Sequence, residues 1–521
     1  MRKDLLLGIS IILLSLIFLS FKAGDITSQF TGDENFYFQS SRNMISSGDW
    51  LTPRYYGKPR FQKPILYYWL VAVSLKIFGI GWFGARFPSV LFASLTILFT
   101  FLIGKNLFER NGPALLSAFI LATTFKFFKY ARTTIPDMAL LCFMTISLYI
   151  FLKIVKSPDK KNRFLWPLFF LSLALATLIK GPIGIIVPLL AIFAFILISK
   201  ERVVIGKANL ITGIFIFLSL VLPWFLVMLK IHGDAFTAHI WSREITHRIG
   251  YFSDTKNGVD VFLEYLKTLP FYIPILIVRF LPWSLLLPSG IARSLSAVKS
   301  GETRKEYALV LGWFLAVFFL FTLVGEKHSQ YMLALTPPFA LMIGANFVEG
   351  SFKKRILLPV AIILITAFSI SLLVSNKGLR LNNAIMGSFA YKIISHDLDD
   401  NDSVAVGSHE LIPQHLEAHL NRPVKKIGGK WYDPEYHDRV SRNLIESFYR
   451  TKAGTFCIIN KDDFTKHVSA DIKKRLKILH KGFMWRRKIR ITKDQIALLF
   501  KEGIGAFLDS YKREYYLVTD K

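Results

Sequence analysis

The stretch LLLGISIILLSLIFLSF, residues 5–21, carries no charge and follows Arg2 and Lys3. Its length sits at the short end of the roughly 17–25 apolar residues that cross a hydrocarbon core. No A-x-A-like cleavage site follows, so the run predicts an uncleaved span starting on the cytoplasmic side rather than a removed secretory leader. Runs of the same character recur near 87–103, 113–125, 138–152, 164–179, 183–199, 209–229, 271–288, 307–324, 331–348 and 356–375. They predict a polytopic α-helical membrane protein of eleven spans, with about thirteen as the upper count. Composition agrees, because 52% of the 521 residues are hydrophobic and 47 are Phe.

Placing the N-terminus inside makes alternate loops cytoplasmic: GKNLFERNG, KIVKSPDKKNR, SKERVVIGK, SGIARSLSAVKSGETRKE and EGSFKKR. These are short and rich in Lys and Arg, as the positive-inside rule requires. Basic loops beside anionic lipid also account for the formal charge of +29, so nucleic acid is not implied as a partner. The opposite face then carries loop 24–86, KFFKYARTTIPD, loop 230–270, GEKHSQ and everything after 376. Within the first loop, PILYYWLVAVSLKIFGIG (64–81) is too short and wrongly flanked for a span. It is expected to lie in the interface with Tyr67, Tyr68 and Trp69 at head-group level.

The chain therefore divides into a membrane domain, 1–376, and a C-terminal soluble α/β domain, 377–521. In the tail, DSVAVGSHE, GTFCIIN and REYYLVTD have strand character, while IPQHLEAHL and ADIKKRLKIL have helical periodicity. The basic run 473–493 reads as a solvated face beside lipid head groups or an anionic acceptor. Cys142 and Cys457 lie too far apart in sequence to suggest a disulfide framework or a metal cluster.

Ionisable residues crowd the outer face. TGDENFYFQ (31–39) sets Asp33 and Glu34 among aromatic residues just past the first span. The same loop adds Arg42, Asp49, Arg54, Lys58, Arg60 and Lys63, and later outer loops add Lys126, Lys129, Arg132, Asp137, Arg243, Arg248, Lys327 and Tyr331. Charged groups at the edge of a membrane bundle mark functional sites by default. One or two carboxylates beside several cations suit group transfer from a lipid phosphate: cations hold the phosphate as its charge grows, and a carboxylate orients or deprotonates the attacking hydroxyl. Nucleotide sugars are cytoplasmic, so an outward-facing transferase would draw its donor from a polyprenyl phosphate. Asp49, in SSGDW, is turn chemistry. Adjacent carboxylates point apart, so Asp33 and Glu34 cannot flank one glycosidic bond as a glycosidase pair does.

GDENFYFQSSRNMISSGDWLTPRYYGKPRFQKPILYYW (32–69) and ARFPSVLFA (85–93) resemble the first outer loop of bacterial aminoarabinose (lipid A) transferases. These belong with the protein O-mannosyltransferase-like group of the GT-C glycosyltransferase class. ARTTIPDMALL, LIKGPIGIIVPLL, LPWFLVML and EKHSQYMLALTPPFALMIG continue the likeness in the same order, over about residues 25–345. The resemblance implies Asp33 as catalytic carboxylate, Asp137 as a second acidic position, and Lys63 and Tyr331 as contacts of the donor phosphate. Arg243 and Arg248 fall in a loosely similar R-E-H-x-x-R-like block, and Arg54, Arg132, Lys327 and Glu34 join the substrate-binding set. Two positions linked to a bound divalent metal in that family are Gln62 and Ile245 here, which argues against the same metal site.

The expected function is transfer of a sugar from polyprenyl phosphate to lipid A, another envelope glycan or lipid, or a protein. It would occur by inverting displacement on the periplasmic face of the bacterial inner membrane. The competing expectation is a lipid or solute transporter, disfavoured because the charges cluster on one face rather than in paired broken spans.

Overall fold

The computed structural model describes residues 2–25, 32–156, 164–201, 205–240, 266, 268–300, 304–325, 327–346, 385–396, 398, 402–406, 413–420, 422, 424–426, 455–485 and 512–521. They form two compact units: Met1–Gly24 with Tyr37–Ser369, and Asp25–Phe36 with Ile370–Lys521.

The first unit is helical. Its leading elements are α1 (Arg2–Ser20), α2 (Gly32–Ser47), the hairpin β1 (Arg54–Tyr55) and β2 (Lys58–Pro59), α3 (Leu66–Phe78), α4 (Trp82–Phe108), α5 (Asn111–Thr123) and α6 (Phe125–Ala131). After these come α7 (Asp137–Lys156), α8 (Leu165–Lys180), α9 (Ile183–Ser199), α10 (Lys207–His239), α11 (Tyr272–Arg279), α12 (Leu287–Ser300), α13 (Arg304–Leu323) and α14 (Thr336–Ala345). Tyr56 and Gly57 take φ of 46° and 81° in the hairpin turn, a pairing that positive φ makes natural for Gly.

Among the described residues four helices are long and apolar enough to cross a membrane: α4, α7, α10 and α13. Two bent pairs, α5 with α6 at 67° and 269–279 with 283–300 at 110°, bring the number to six. The chain is thus a multi-pass helical membrane protein. The expected eleven spans also counted shorter runs. The first, 5–21, lies in α1, an apolar helix of 19 residues, and α8 and α9 are apolar helices of 16 and 17 residues at the short end of spanning length; run 331–348 divides into a 3-10 segment, Ser329–Leu335, and α14. Run 356–375 lies outside the described residues.

Close helix approach depends on small side chains, as in membrane bundles generally. A Cβ on Gly344 of α14 would collide with Ser117 Oγ of α5, and one on Gly213 of α10 with the Phe170 ring of α8. Alternate loops meet at one end of the bundle: Lys156 pairs with Glu306 at 2.7 Å and Lys305 with Glu201 at 3.1 Å. At the other end Arg86 donates to Ala23 O at 2.7 Å and Arg132 to Phe21 O. α3 departs from the expected interfacial belt. Tyr67 and Tyr68 are fully buried, and Tyr67 shares a 2.8 Å hydrogen bond with Ser89 while Tyr37 packs edge-on to it. A phenol with a buried partner gains more from the core than from the head-group layer.

The second unit contains a helix, Ile385–Ile394, and β3 (Ser403–Val406), α15 (Pro413–Leu420), β4 (Lys425–Lys426) and β5 (Thr455–Asn460). α16 (Lys461–His467), α17 (Ala470–Arg475), β6 (Lys477–Trp485) and β7 (Lys512–Thr519) complete it. The sheet runs β4-β3-β5-β7-β6, with β3 parallel to β4 and β5, and β7 antiparallel to β5 and β6. Both faces are covered: Phe456 and Ile458 pack with Phe389 and Leu416, while Cys457 and Ile459 pack with Ile472 and Phe464. That explains why TFCIIN is an unbroken buried run. The helical expectation for ADIKKRLKIL fails past Arg475, because Leu476 turns extended and Lys477 onward pairs with β7.

Candidate active site

α2 opens with Asp33 and Glu34 in its first turn, where helix N–H groups favour anionic side chains. The two acids part as their adjacency requires: Asp33 is exposed and Glu34 is 0% exposed. α2 crosses the division between units, its first turn through Phe36 belonging to the second and Tyr37 onward to the first. From there Phe38 stacks on Trp82 at 4.6 Å and Ser41 donates to Tyr68 O at 3.0 Å.

Asp49 is a turn residue, as GDW suggests. Its Oδ1 accepts from Leu51 N at 3.1 Å and Thr52 N at 3.0 Å. Burial pushes its pKa up, but the Thr52 and Leu51 amides and the Arg54 guanidinium outweigh that and hold it below the usual carboxylate value. Arg54 therefore serves the turn, with Nε 3.4 Å from Asp49 Oδ2 and a further bond to Gly57 O. Lys63 donates to Gln62 O at 2.7 Å.

The first unit encloses a cavity of about 740 Å³, walled mostly by apolar side chains of α7, α8, α9 and α10 and by Phe321 and Leu333. Gln62 and Pro64 line it on either side of Lys63 in sequence. Three chemistry-bearing residues line it together: Asp137, Lys180 and Tyr331. Asp137 begins α7 and Lys180 ends α8, and their side chains meet at 2.7 Å with less than a tenth of each exposed. Gly181, at φ 77°, closes α8 directly after the lysine, and a cation in a last helical turn faces the negative end of the dipole. The ammonium of Lys180 lies 6.0 Å from the Tyr331 ring centroid, and that ring stacks on Phe321 at 4.6 Å. Lys126, buried on α6, feels the charges of Arg279, Lys129 and Asp137. The cavity thus joins an apolar volume to a wall where a carboxylate–ammonium pair and a phenol converge, a division suited to an amphiphile with an anionic head.

The other expected residues are dispersed. Arg132 lies against Phe128, 5.0 Å from its ring centroid. Lys327 folds back on the carbonyls of Phe321 and Thr322 at the end of α13, and burial holds its pKa below the ordinary lysine value. Arg243, Arg248 and Ile245 lie outside the described residues. Sequence reasoning missed Lys180. Its signal was a lone cation in the three-residue connection, Lys180 to Pro182, between apolar runs 164–179 and 183–199, on the outer face by the alternate-loop rule.

Of the two metal-linked positions only Gln62 is among the described residues. Gln62 Oε1 is a buried oxygen without a hydrogen-bond partner, but it is a neutral amide. Among the described residues, no three His, Cys, Asp or Glu side chains converge.

The family model for dolichyl-phosphate-mannose-protein mannosyltransferases matches residues 62–226. An uncharacterised protein of Aquifex aeolicus is 30% identical over 358 residues, 68% of this chain and 66% of its own length. The undecaprenyl phosphate-alpha-4-amino-4-deoxy-L-arabinose arabinosyl transferase 2 of Proteus mirabilis is 27% identical over 327 residues, 62% of this chain. The match spans 56%, little more than half, of that enzyme's length. In fold, the chain is similar to ArnT from Cupriavidus metallidurans, whose crystal structure is bound to undecaprenyl phosphate. The TM-score is 0.66 at 18% identity, over 91% of this chain and 96% of that one. On these matches the chain is similar in sequence and in fold to the aminoarabinose transferases, and over residues 62–226 to the protein mannosyltransferase family.

Proposed function

We propose that this chain transfers a sugar from a polyprenyl-phosphate donor to an acceptor at the periplasmic face of the bacterial inner membrane. The observation that carries the proposal is the apolar cavity with Asp137, Lys180 and Tyr331 in its wall. Its walls suit an isoprenoid chain, and its polar residues suit the phosphate that ends one. The arabinosyl transferase named above and the ArnT bound to undecaprenyl phosphate support the same donor class.

In the proposed step an acceptor oxygen attacks the anomeric carbon opposite the phosphate. The bond from that carbon to the phosphate oxygen breaks, and its electron pair leaves on polyprenyl phosphate. The acceptor hydroxyl proton passes to the carboxylate of Asp33, and the anomeric centre inverts. Lys180 and Lys63 stabilise the departing phosphate's charge, Tyr331 orients it, and Asp137 fixes the Lys180 ammonium. Arg54, Arg132, Lys327, Glu34, Arg243 and Arg248 remain in the proposed substrate-binding set. The acceptor is a lipid, a glycan or a protein.

The test uses full-length protein in nanodiscs, polyprenyl-phosphate sugars and candidate acceptors, with products read by mass spectrometry. Transfer that Asp33→Asn abolishes and Lys180→Met lowers by about a hundredfold or more supports the assignment, since loss of one charge-stabilising donor costs about 10²–10³. Transfer at the wild-type rate in both variants sinks it. Movement of substrate across vesicles with no glycosylated product establishes a transporter instead.

A further inference from the structure

We infer that Glu417 is a positioning residue for Asp33, so that the C-terminal unit holds the proposed catalytic carboxylate in place; the inference rests on the role given to Asp33 above. The observation is a buried hydrogen bond between residues 382 positions apart: Asn35 Nδ2 donates to Glu417 Oε2 at 3.2 Å. Asn35 is 0% exposed and Glu417 4%. The second carboxylate oxygen of Glu417 accepts from Val424 N at 3.1 Å, at the entrance to β4. One carboxylate of α15 thus holds both the start of the edge strand and the first turn of α2. Segment 25–36 belongs to the same unit as the tail, so this bond lies within one compact body.

Helix geometry turns that bond into an orienting device. Residues two apart on an α-helix point about 200° from one another, so fixing Asn35 inward turns Asp33 outward, as its exposure records. The first turn of a helix lacks intrahelical acceptors for its amides and frays readily. A buried charge-assisted bond in that turn removes the fraying. A carboxylate acting on a reacting centre needs this, because displacement by about 1 Å can cost about a hundredfold in rate.

The chemistry of the pair supplies its own control. Asn35→Asp sets two carboxylates face to face in a buried site. Adding Glu417→Gln exchanges donor and acceptor: the Gln amide donates to the new Asp, and its carbonyl still accepts from Val424 N. The experiment compares wild type, Asn35→Asp and the double variant in nanodiscs, reading transfer kinetics and backbone amide exchange across 32–40. Asn35→Asp is expected to lower kcat by about a hundredfold, with little change in donor KM, and to speed exchange; the double variant restores both. Wild-type kcat in Asn35→Asp, or restored exchange without restored kcat, overturns the positioning role. Failure of the double variant to restore exchange overturns the contact itself. Asp33→Asn tests the underlying role separately: wild-type turnover there refutes the catalytic assignment, while amide exchange still decides the fastening.

Discussion

Replacing Lys180 by Met tests the ion pair at the cavity wall. At 2.7 Å and an effective dielectric constant near 20, Coulomb attraction between unit charges is about 6 kcal/mol. Desolvating each ion costs several kcal/mol, so an intact buried pair is near neutral against an apolar pair of the same volume. Removing one member is different: Lys180→Met leaves Asp137 buried without its cation, a loss of about 3–5 kcal/mol. Asp137→Asn strands the lysine at similar cost, while Asp137→Asn with Lys180→Met leaves no charge and recovers most of the loss. The assay is unfolding in mixed detergent–denaturant micelles, followed by tryptophan fluorescence and analysed as a double-mutant cycle. Single variants within about 0.5 kcal/mol of wild type, the ordinary range for surface changes, would refute the reasoning. Under the proposed function the double variant regains stability but not transfer, because the ammonium facing the phosphate is gone.

Three further outcomes are expected. Gly344→Val forces α14 away from Ser117 on α5 and lowers stability by about 1–3 kcal/mol, read in the same unfolding assay. Asp49 binds fewer protons when folded than when unfolded, because its folded pKa is depressed. Its contribution is therefore complete above the unfolded value near ~4 and fades as pH falls through the lower folded value. Asp49→Asn should flatten that part of the acid unfolding limb, and an unchanged limb would contradict it. Cys142 and Cys457 are both buried, so neither should react with a maleimide until the protein unfolds; fast labelling of native protein would refute their packing.

The helical membrane class was legible because an apolar run needs no partner to announce itself. α4, α7, α10 and α13 fall on runs read directly from the chain. The strands β3, β5 and β7 were legible too, as short β-branched and aromatic blocks. What the sequence hid depends on distance along it. Nothing local shows that 25–36 clusters with the tail, or that Asn35 meets Glu417. Lys180 was hidden for a related reason: at the end of an apolar run it has the profile of a snorkelling anchor, and only folding brings Asp137, 43 positions earlier, onto it. Tyr67 misled in the opposite sense, because the aromatic pattern of a head-group belt is also the pattern of a buried phenol with a partner.

The cations of the outer end differ in how firmly they are held, and this orders their roles under the proposed function. Lys63 and Lys327 each donate to backbone carbonyls. Arg54 is bound to Asp49 in a partly exposed hairpin, where such a pair is worth about 0–1 kcal/mol and yields readily. Lys180 is held by a buried carboxylate. A phosphate approaching it gains a cation already desolvated and oriented, and does not need to extract it from Asp137, since an ammonium has three donors. Lys180 is therefore a fixed point of the proposed phosphate site. Substrate binding should then leave the Asp137–Lys180 separation as it stands.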